Sequence, residues 1–237
     1  PRAGSMWTYN VTRGLLQSAG LEVIPDDVPK TTRPFVEQAF TQQPRQGHVY
    51  CVKTHLLVDP PADCDALFIV PYRDVRDCVV SFMKFRKADF EEALKAARTW
   101  MKVADEYFSR AGENTLKLRY DRMVEQPLET IETINEFIET DVAFEQMERI
   151  SRKFSLDNVR QMIEQIDSVS DSKAGQGYVK VANRDGSFRR FDRSTGFQSG
   201  HVTSGKTGRW KEELDEDQQK MLLEQTAPWL EKHGFEI

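Results

Sequence analysis

Two short apolar segments constrain the fold of this chain more than any other feature of its sequence. They are residues 48–53 (HVYCVK) and 66–72 (ALFIVPY), and both are rich in β-branched or aromatic residues. Runs of this length and composition are typical of strands buried on both faces of a parallel sheet. An amphipathic pattern over residues 74–85 follows the second run and predicts a helix. Strands that alternate with helices predict a three-layer α/β fold, with a parallel central sheet flanked by helices.

The remaining segments fit the same alternation. The 237 residues contain no internal repeat, and their number suits a single domain spanning residues 1–237. Residues 167–209 show little periodicity and much Gly, Ser and Arg, so we expect a long loop there. Further strands are predicted at 21–24 and 115–120, and further helices at 5–19, 35–40, 90–110, 127–138, 143–153, 156–166, 215–224 and 227–232.

The charge of the chain is unevenly distributed. Its net charge is −5, which argues against a general binder of nucleic acid or of membrane surfaces. Residues 173–211 hold nine Lys or Arg and two Asp, a net charge of +7, so the rest of the chain carries −12. A basic segment on an acidic body suits a small polyanionic ligand, and it suits a solvated basic loop equally well.

The three cysteines favour a reducing compartment. Cys51, Cys64 and Cys78 are odd in number, and their spacing fits neither a metal site nor a disulfide framework. This cysteine usage predicts a cytoplasmic location. No signal peptide is evident and the longest apolar runs are too short to span a bilayer, so we expect no membrane segment.

The first segment with a chemical pattern is residues 1–7 (PRAGSMW), at the start of the first predicted helix. A helix N-terminus offers unpaired backbone N–H groups and the positive end of the helix dipole, so it can bind a phosphate. Gly4 lets the backbone approach an anion closely. Arg2 adds a fixed charge, Ser5 a hydroxyl donor and Trp7 a face for a purine. A strand normally precedes such a loop, and we expect one upstream of the first residue. Taken alone, the pattern also fits an ordinary Arg-Gly turn.

A Lys and a His follow the first apolar strand, within the run Lys53-Thr54-His55-Leu56. In open parallel sheets, ligands bind beyond the carboxyl ends of the strands, so both side chains can reach such a crevice. A neutral imidazole can accept a proton near pH 7, and an ammonium group can stabilise developing negative charge. A single His is more often structural or simply exposed, and its position at a strand end is what favours catalysis.

An Arg and a Ser flank the start of the helix that follows the second apolar strand. Arg73 is at the strand end and Ser81 lies two helical turns further on, so both could bind the same phosphate. The charges between them have ordinary interpretations, with Asp74 as a helix N-cap and with Arg76 and Asp77 as solvated side chains.

In this order, the three motifs resemble the sulfotransferase family that uses 3′-phosphoadenosine 5′-phosphosulfate (PAPS). The phosphosulfate loop of that family reads approximately Pro-Lys/Arg-Ser-Gly-Thr-Thr-Trp, and its cytosolic members carry Lys-Thr-His-Leu. Its 3′-phosphate motif has an Arg and, eight residues later, a Ser. Two further segments are similar: residues 118–121 (LRYD) with 127–129 (PLE), and residues 205–211 (GKTGRWK), which resemble a Gly-x-x-Gly-x-Trp-Lys loop. The resemblance spans nearly the whole chain.

The resemblance implies a P-loop-NTPase-like sulfotransferase fold. It implies transfer of a sulfuryl group from PAPS to an acceptor hydroxyl or amine without a metal, leaving 3′-phosphoadenosine 5′-phosphate (PAP). His55 would be the general base of an in-line displacement, and Lys53 and Arg2 would stabilise charge on the bridging oxygen. The residues that would bind the nucleotide are Arg2, Ala3, Gly4, Ser5, Met6, Trp7, Arg73, Ser81, Tyr120, Thr203, Ser204 and Gly205.

This sequence departs from the family pattern in three places. Arg2 replaces the Lys that is usual in the cytosolic enzymes. Thr203 and Ser204 stand where those enzymes have Arg-Lys, so the charge at the 3′-phosphate site is lower, although Arg209, Lys206 or His201 could compensate. The dimerisation motif of vertebrate members is not evident, which leaves the oligomeric state open.

Residues 200–207 (GHVTSGKT) also satisfy the Walker A pattern. That motif needs an apolar strand before it and a helix directly after it, whereas polar residues precede this one, and Gly208 and Trp210 come before any helix. Two alternatives to a sulfotransferase stay open, an ATP–Mg²⁺ phosphotransferase and a non-catalytic nucleotide-binding module. The presence of both Lys53 and His55 argues against the second.

The acceptor is the least defined part of the prediction. We expect a small-molecule or glycan-like hydroxyl acceptor, bound by the variable segments 26–47, 86–91 and 167–199. The aromatic residues in and near these segments either line an apolar pocket or anchor the loops. The basic charge nearby favours an acidic or sulfated acceptor, or it serves PAPS alone.

Overall fold

Strands and helices alternate through the first half of the chain, and helices dominate the second half. The computed structural model describes residues 2–29, 32–42, 44–110, 112, 114–168, 177–182, 188–200 and 205–237. Within those ranges no helix is long and apolar enough to cross a membrane. The elements in chain order are α1 (Ser5–Ser18), β1 (Glu22–Ile24), α2 (Arg33–Thr41), β2 (His48–Tyr50), β3 (Phe68–Tyr72), α3 (Val75–Arg86), α4 (Phe90–Ser109), β4 (Thr115–Arg119), α5 (Tyr120–Glu125), α6 (Pro127–Phe137), α7 (Phe144–Lys153), α8 (Leu156–Ser168), β5 (Tyr178–Ala182), β6 (Phe188–Asp192), α9 (Trp210–Glu213) and α10 (Glu216–Lys232).

Four of the six described strands pair in parallel, as the sequence predicts. Strand β1 pairs with β2, and β3 pairs with β4. Helix α2 connects the first pair, and helices α3 and α4 connect the second, because parallel neighbours need a crossover rather than a tight turn. The described strands form three two-stranded sheets rather than the one central sheet that was predicted.

The third sheet is an antiparallel hairpin of β5 and β6, within residues 167–209, where the sequence predicts only a loop. Each strand has five residues, and of the ten paired residues only Val179 is buried. Strand β6 also carries consecutive charges at Arg189 and Arg190. The hairpin is therefore defined by its backbone pairing and not by apolar alternation, which explains why the sequence pattern missed it.

Strand β2 is shorter than predicted. The apolar run extends to Lys53, but the strand ends at Tyr50, and the last bond of this pairing runs from the N–H of Cys51 to the carbonyl of Ile24 at 2.9 Å. Pro25 follows Ile24 in the partner segment, and the pairing of the two segments ends at Ile24 and Tyr50. Lys53 consequently lies in the irregular segment beyond the strand.

Two groups of buried side chains form the core. The first surrounds α1, whose Val11 and Leu15 are fully buried with residues of α6, α7 and α8. The second lies between α3, α4 and α10 and includes Val79, Leu94 and Leu222. Apolar residues recur at helical spacing on the buried faces, which is why periodicity located these helices. Residues packed against each group also line one shared cavity, so the two groups meet at that cavity.

Helix α10 is continuous where the sequence predicts two helices, at 215–224 and 227–232. Pro228 lies inside it and lacks the N–H that would bond to the preceding turn. Packing offsets this loss, because Leu222, Trp229 and Leu230 are buried in the second core group.

Candidate active site

A cavity of ≈ 870 Å³ opens at the N-terminus of α1. Its walls come from the start of α1, the segment after β2, α3, the start of α5 and strand β6. Residues far apart in sequence therefore meet around one space. The predicted site residues that line it are Arg2, Gly4, Ser5, Met6, Trp7, Lys53, His55, Arg73, Ser81, Tyr120 and Gly205.

The N-terminus of α1 is shaped by Gly4. This residue is the N-cap of the helix and has φ +82°, a left-handed conformation that Gly adopts without a steric penalty. A Cβ atom there would lie 2.7 Å from Met123 Cε and 3.2 Å from Tyr120 Cδ2. No side chain caps the helix, so the N–H groups of its first turn stay available to an anion.

Arg2 and Ser81 contact each other inside the cavity. Arg2 Nε donates to Ser81 Oγ at 3.0 Å, and the guanidinium carbon lies 4.3 Å from the centroid of the Phe85 ring. Burial lowers the pKa of Arg2 to about 10, so the side chain stays charged at neutral pH. The structure thus brings together two groups that the sequence assigned to opposite ends of the nucleotide.

Lys53 and His55 contact each other in the irregular segment after β2. Lys53 Nζ lies 3.1 Å from His55 Nε2. His55 is an exposed residue, but the surrounding cavity walls desolvate its ring and, with the Lys53 ammonium as the next cause, lower the pKa of His55 to about 3. Burial lowers the pKa of Lys53 to about 8. At pH 7 the imidazole is therefore neutral, and the amine is still largely protonated.

Arg73 is held by three contacts. Its Nη2 donates to Asp77 Oδ2 at 3.2 Å and to the carbonyl of Lys206 at 2.8 Å, and its Cζ lies 4.2 Å from the Tyr120 ring centroid. Asp77 also accepts from the backbone N–H of Gly208 at 2.8 Å, so one buried carboxylate holds both the Arg and the C-terminal Gly loop. Within the described residues, Arg73 Nε is buried without a hydrogen-bond partner.

The cavity has a strongly positive lining. Of the described residues around it, six are Arg or Lys and none is Asp or Glu. Charges of one sign on low-dielectric walls focus the local field and attract ligands of the opposite sign. The arrangement therefore suits a polyanion. The six cationic residues are Arg2, Lys53, Arg73, Arg86, Arg189 and Arg209.

The sequence matches the family described as "Sulfotransferase domain" over residues 1–234. The chain belongs to this sulfotransferase family. Among curated protein sequences, none matches it.

Solved sulfotransferase structures have a similar fold. Mouse sulfotransferase SULT7A1 complexed with PAP gives a TM-score of 0.65 at 15% identity, over 97% of this chain and 81% of that one. Retinol dehydratase with androsterone and the inactive cofactor PAP gives 0.60 at 15% identity, over 97% and 78%. The same enzyme with retinol and PAP gives 0.59 at 14% identity, over 97% and 79%. The α/β P-loop-NTPase-like sulfotransferase fold is therefore confirmed.

One predicted nucleotide contact of this sulfotransferase, Ala3, does not line the cavity, and two others cannot be placed relative to it. Thr203 and Ser204 lie outside the described residues. Ala3 is buried, with an exposed fraction of 5%. Gly205 does line the cavity, with φ +70°, and a Cβ atom there would lie 2.8 Å from Leu156 Cδ2. The Walker-like run has no helix directly after it, because α9 begins only at Trp210.

Sequence reasoning assigned two charged residues of α3 to solvent, and that prediction was wrong. Arg76 and Asp77 are buried, with exposed fractions of 4% and 2%. Arg76 pairs with the N-cap Asp74, and its Cζ lies 4.2 Å from the Trp210 ring centroid. Reasoning from the motifs also gave no site role to Arg86 or Arg189 of this sulfotransferase. The predicted acceptor segments 86–91 and 167–199 do include these two arginines, and the basic composition of residues 173–211 also pointed toward the second of them.

Proposed function

We propose that this sulfotransferase moves a sulfuryl group from PAPS to an acceptor hydroxyl or amine by in-line displacement, with His55 as the general base. The observation that carries the proposal is the contact between Lys53 and the neutral His55 ring, inside a positively lined cavity at a helix N-terminus. The solved structures of similar fold contain PAP, the nucleotide that such a transfer leaves behind.

The residues present fit the nucleotide. Arg73 Nε is a buried donor without a partner in the described part of the chain, a costly state that a phosphate oxygen would relieve. Because Gly4 has no Cβ atom, Tyr120 can lie close to the N-terminus of α1, where an anion would bind. We therefore assign the nucleotide to one side of the cavity, which we call the nucleotide wall. It consists of Arg2, residues 4–7, Arg73, Ser81, Tyr120 and Gly205.

Each part of the nucleotide wall has a proposed role. The backbone N–H groups of residues 3–7, together with Arg2, would hold the 5′-phosphosulfate. Arg73, Ser81 and residues 203–205 would hold the 3′-phosphate, and Trp7 and Tyr120 would contact the adenosine. When bound, PAPS supplies an activated sulfuryl group on a good leaving phosphate. The protein supplies the positive charge through its own side chains, so the proposal includes no metal.

His55 would act on the acceptor. The acceptor oxygen gives its proton to Nε2 of the neutral ring and forms a bond to sulfur. The bond between sulfur and the bridging oxygen breaks at the same time, and its electron pair leaves with the nucleotide phosphate. The reaction therefore consumes one acceptor proton and yields a sulfated acceptor and PAP.

Lys53 must change partner for this chemistry to proceed. Its Nζ lies 3.1 Å from His55 Nε2, the atom with the lone pair that would accept the acceptor proton. One lone pair cannot serve both groups at once. We therefore propose that Lys53 moves to the bridging oxygen when the nucleotide binds, which frees His55 and places the ammonium where negative charge develops.

The domain organisation, the cellular compartment and the partner of the enzyme are also proposals. The two core groups share one cavity, which supports a single domain over residues 1–237. Cys51, Cys64 and Cys78 are all free thiols, which supports the reducing cytoplasm. The proposed partner is a small-molecule or glycan-like acceptor and neither nucleic acid nor a membrane, in keeping with the net charge of −5.

Calorimetric titration with PAP, with ATP–Mg²⁺ as the control nucleotide, tests the proposal. We expect micromolar or tighter binding of PAP and little binding of ATP. Binding of ATP alone would support the phosphotransferase alternative instead. A turnover assay then measures the formation of PAP from PAPS in the presence of a panel of phenols, sugars and amines. If the protein binds PAP but forms none in this assay, the result would support a non-catalytic binding module.

A further inference from the structure

Next to the nucleotide wall, the lining of the cavity carries two more cations. Arg86 is the last residue of α3, and Arg189 lies in β6 of the hairpin. Both line the cavity, and both approach the ring of Phe85, with guanidinium carbons 5.8 Å and 5.2 Å from its centroid. We call Phe85, Arg86 and Arg189 the acceptor wall.

These two cations have no counter-charge in the described chain. Neither the Arg86 nor the Arg189 side chain makes a hydrogen bond or an ion pair there, and no described residue that lines the cavity is acidic. Arg189 Nε is buried without a hydrogen-bond partner. Burial, and then the charge of Arg86, lower the pKa of Arg189, so the two groups are close enough to disfavour each other. An anion between them would relieve both the repulsion and the unpaired donor.

The acceptor wall is also close to the proposed base. The charge of Arg86 contributes to the low pKa of His55, after burial, Lys53 and other nearby charges. The neighbouring lining is aromatic, since Phe82, Trp100 and Phe191 line the same cavity. A ligand placed there would meet apolar rings, two guanidinium groups and the proton acceptor together.

We propose that the acceptor is a hydroxyl compound with an acidic group, and that Arg86 and Arg189 bind this acidic group while His55 receives the proton of the hydroxyl. The inference rests on the proposed sulfotransfer and narrows its acceptor class. A guanidinium group pairs with carboxylate or sulfate through two parallel hydrogen bonds, which an amide of the same shape cannot match. Arg86 and Arg189 thus act as specificity-determining residues of the acceptor wall.

Matched acceptors test this inference. Two acids, 4-hydroxyphenylacetate and glucuronate, are each compared with their own neutral amide. Binding to the PAP-saturated protein is measured by calorimetry, and initial rates are measured with PAPS. A charge-assisted hydrogen bond contributes enough to favour an acid over its amide by about tenfold or more in Kd. We expect this preference for at least one pair, in binding and in kcat/KM.

Variants assign the preference to the acceptor wall. We expect Arg189→Gln to reduce the ratio of acid to amide affinity to near one without weakening PAP binding. Lys180→Gln is the matched control, because it removes one charge from strand β5 of the same hairpin at a residue that does not line the cavity. Arg86→Gln changes a residue at an exposed helix end. The ratio of acid to amide affinity in this variant is therefore a second test that does not depend on the fold of the hairpin.

The outcomes separate this inference from the proposed function. Two outcomes would overturn only the inference while PAP still binds. In the first, acids and amides bind with equal affinity, and in the second, neither member of any pair binds. A loss of PAP affinity in Arg189→Gln would assign the guanidinium group to the nucleotide and would also overturn it. Failure of the unmodified protein to bind PAP would instead contradict the proposed function.

Discussion

The two walls of the cavity present their arginines in opposite ways. Arg73 on the nucleotide wall is buried and is held by Asp77, by the carbonyl of Lys206 and by the ring of Tyr120. The Arg189 side chain on the acceptor wall has no hydrogen bond in the described chain, and its guanidinium carbon lies 5.2 Å from the centroid of the Phe85 ring. The first arrangement is pre-organised for one ligand, and the second can adjust its guanidinium group to acceptors of different shape. Nucleotide affinity should therefore depend on the contacts that hold Arg73. Acceptor choice should depend on guanidinium groups, such as that of Arg189, which no hydrogen bond holds in the described chain.

The largest expected effect is at His55, where the two walls meet. His55→Ala should lower kcat by about 10²–10⁴-fold, because it removes the proton acceptor, and should leave the Kd for PAP nearly unchanged. Steady-state rates and calorimetry measure the two quantities. His48→Ala is the control, since His48 pairs with Glu22 and does not line the cavity. Full activity in His55→Ala would refute the role of the base.

The pH profile should distinguish Lys53 from His55. In the ligand-free protein the pKa of Lys53 is lowered to about 8, so the ammonium group loses its proton above that pH. The ratio kcat/KM reports groups of the free enzyme, and it should fall by about tenfold per pH unit above pH 8. The pKa of His55 in the same state is lowered to about 3, so no acid limb of kcat/KM from this ring should appear between pH 5 and 7. Lys53→Arg should move the alkaline limb to higher pH, and an unchanged limb would show that another group causes it.

Asp77→Asn tests whether the rigidity of the nucleotide wall matters for binding. The substitution keeps the side-chain shape but removes the charge that faces Arg73, and breaking a buried ion pair typically costs about 3–5 kcal/mol of the free energy of unfolding. We also expect about a tenfold higher Kd for PAP with little change in kcat at saturation, because Asp77 positions Arg73 and touches no substrate.

Asp105→Asn is the control for Asp77→Asn. It removes a carboxylate that pairs with Lys232 and His233 away from the cavity, so it should change stability without changing the Kd for PAP. Lower stability with unchanged PAP affinity in Asp77→Asn would give that residue a purely structural role.

The smallest effect should come from Gly4→Ala. Gly4 and Gly20 both have φ +82°, but a Cβ atom at Gly20 would meet nothing within 4 Å. Both Ala variants should lose about 1–2 kcal/mol of stability through backbone strain. Only Gly4→Ala should also raise the Kd for PAP, because its Cβ atom would displace Tyr120. A packing cost of about 1 kcal/mol corresponds to about a fivefold higher Kd. Equal Kd values in the two variants would mean that the close approach at Gly4 does not serve the nucleotide.

The nucleotide wall was largely predictable from sequence because its residues lie in local motifs. Asp74 caps α3 through the N–H of Arg76, and the strand β3 before it was predicted from its apolar run. Such signals depend only on neighbours in sequence. The role of Asp77 could not be found in this way, since its partner Gly208 is 131 residues away. A charged residue inside a helix resembles a solvated one until its distant partner is known.

The acceptor wall was less predictable for a related reason. The hairpin that carries Arg189 has one buried residue among its ten paired residues, so it lacks the alternation of buried and exposed residues that a strand packed on a core shows. The opposite error occurred in α10, where Pro228 suggested a break that buried Trp229 and Leu230 overcome. Local propensity failed where tertiary packing, or its absence, determined the structure.

The hydrogen bond from Gly208 to Asp77 has a consequence for the order in which the protein matures on the ribosome. Synthesis proceeds from the N-terminus, so α1, α3 and their motif residues emerge well before residues 205–210. Until that late segment arrives, Asp77 and Arg73 lack the backbone groups that complete their contacts. A nascent chain that has emerged only through α8 therefore holds nearly all of the recognisable motifs and still lacks a finished nucleotide site.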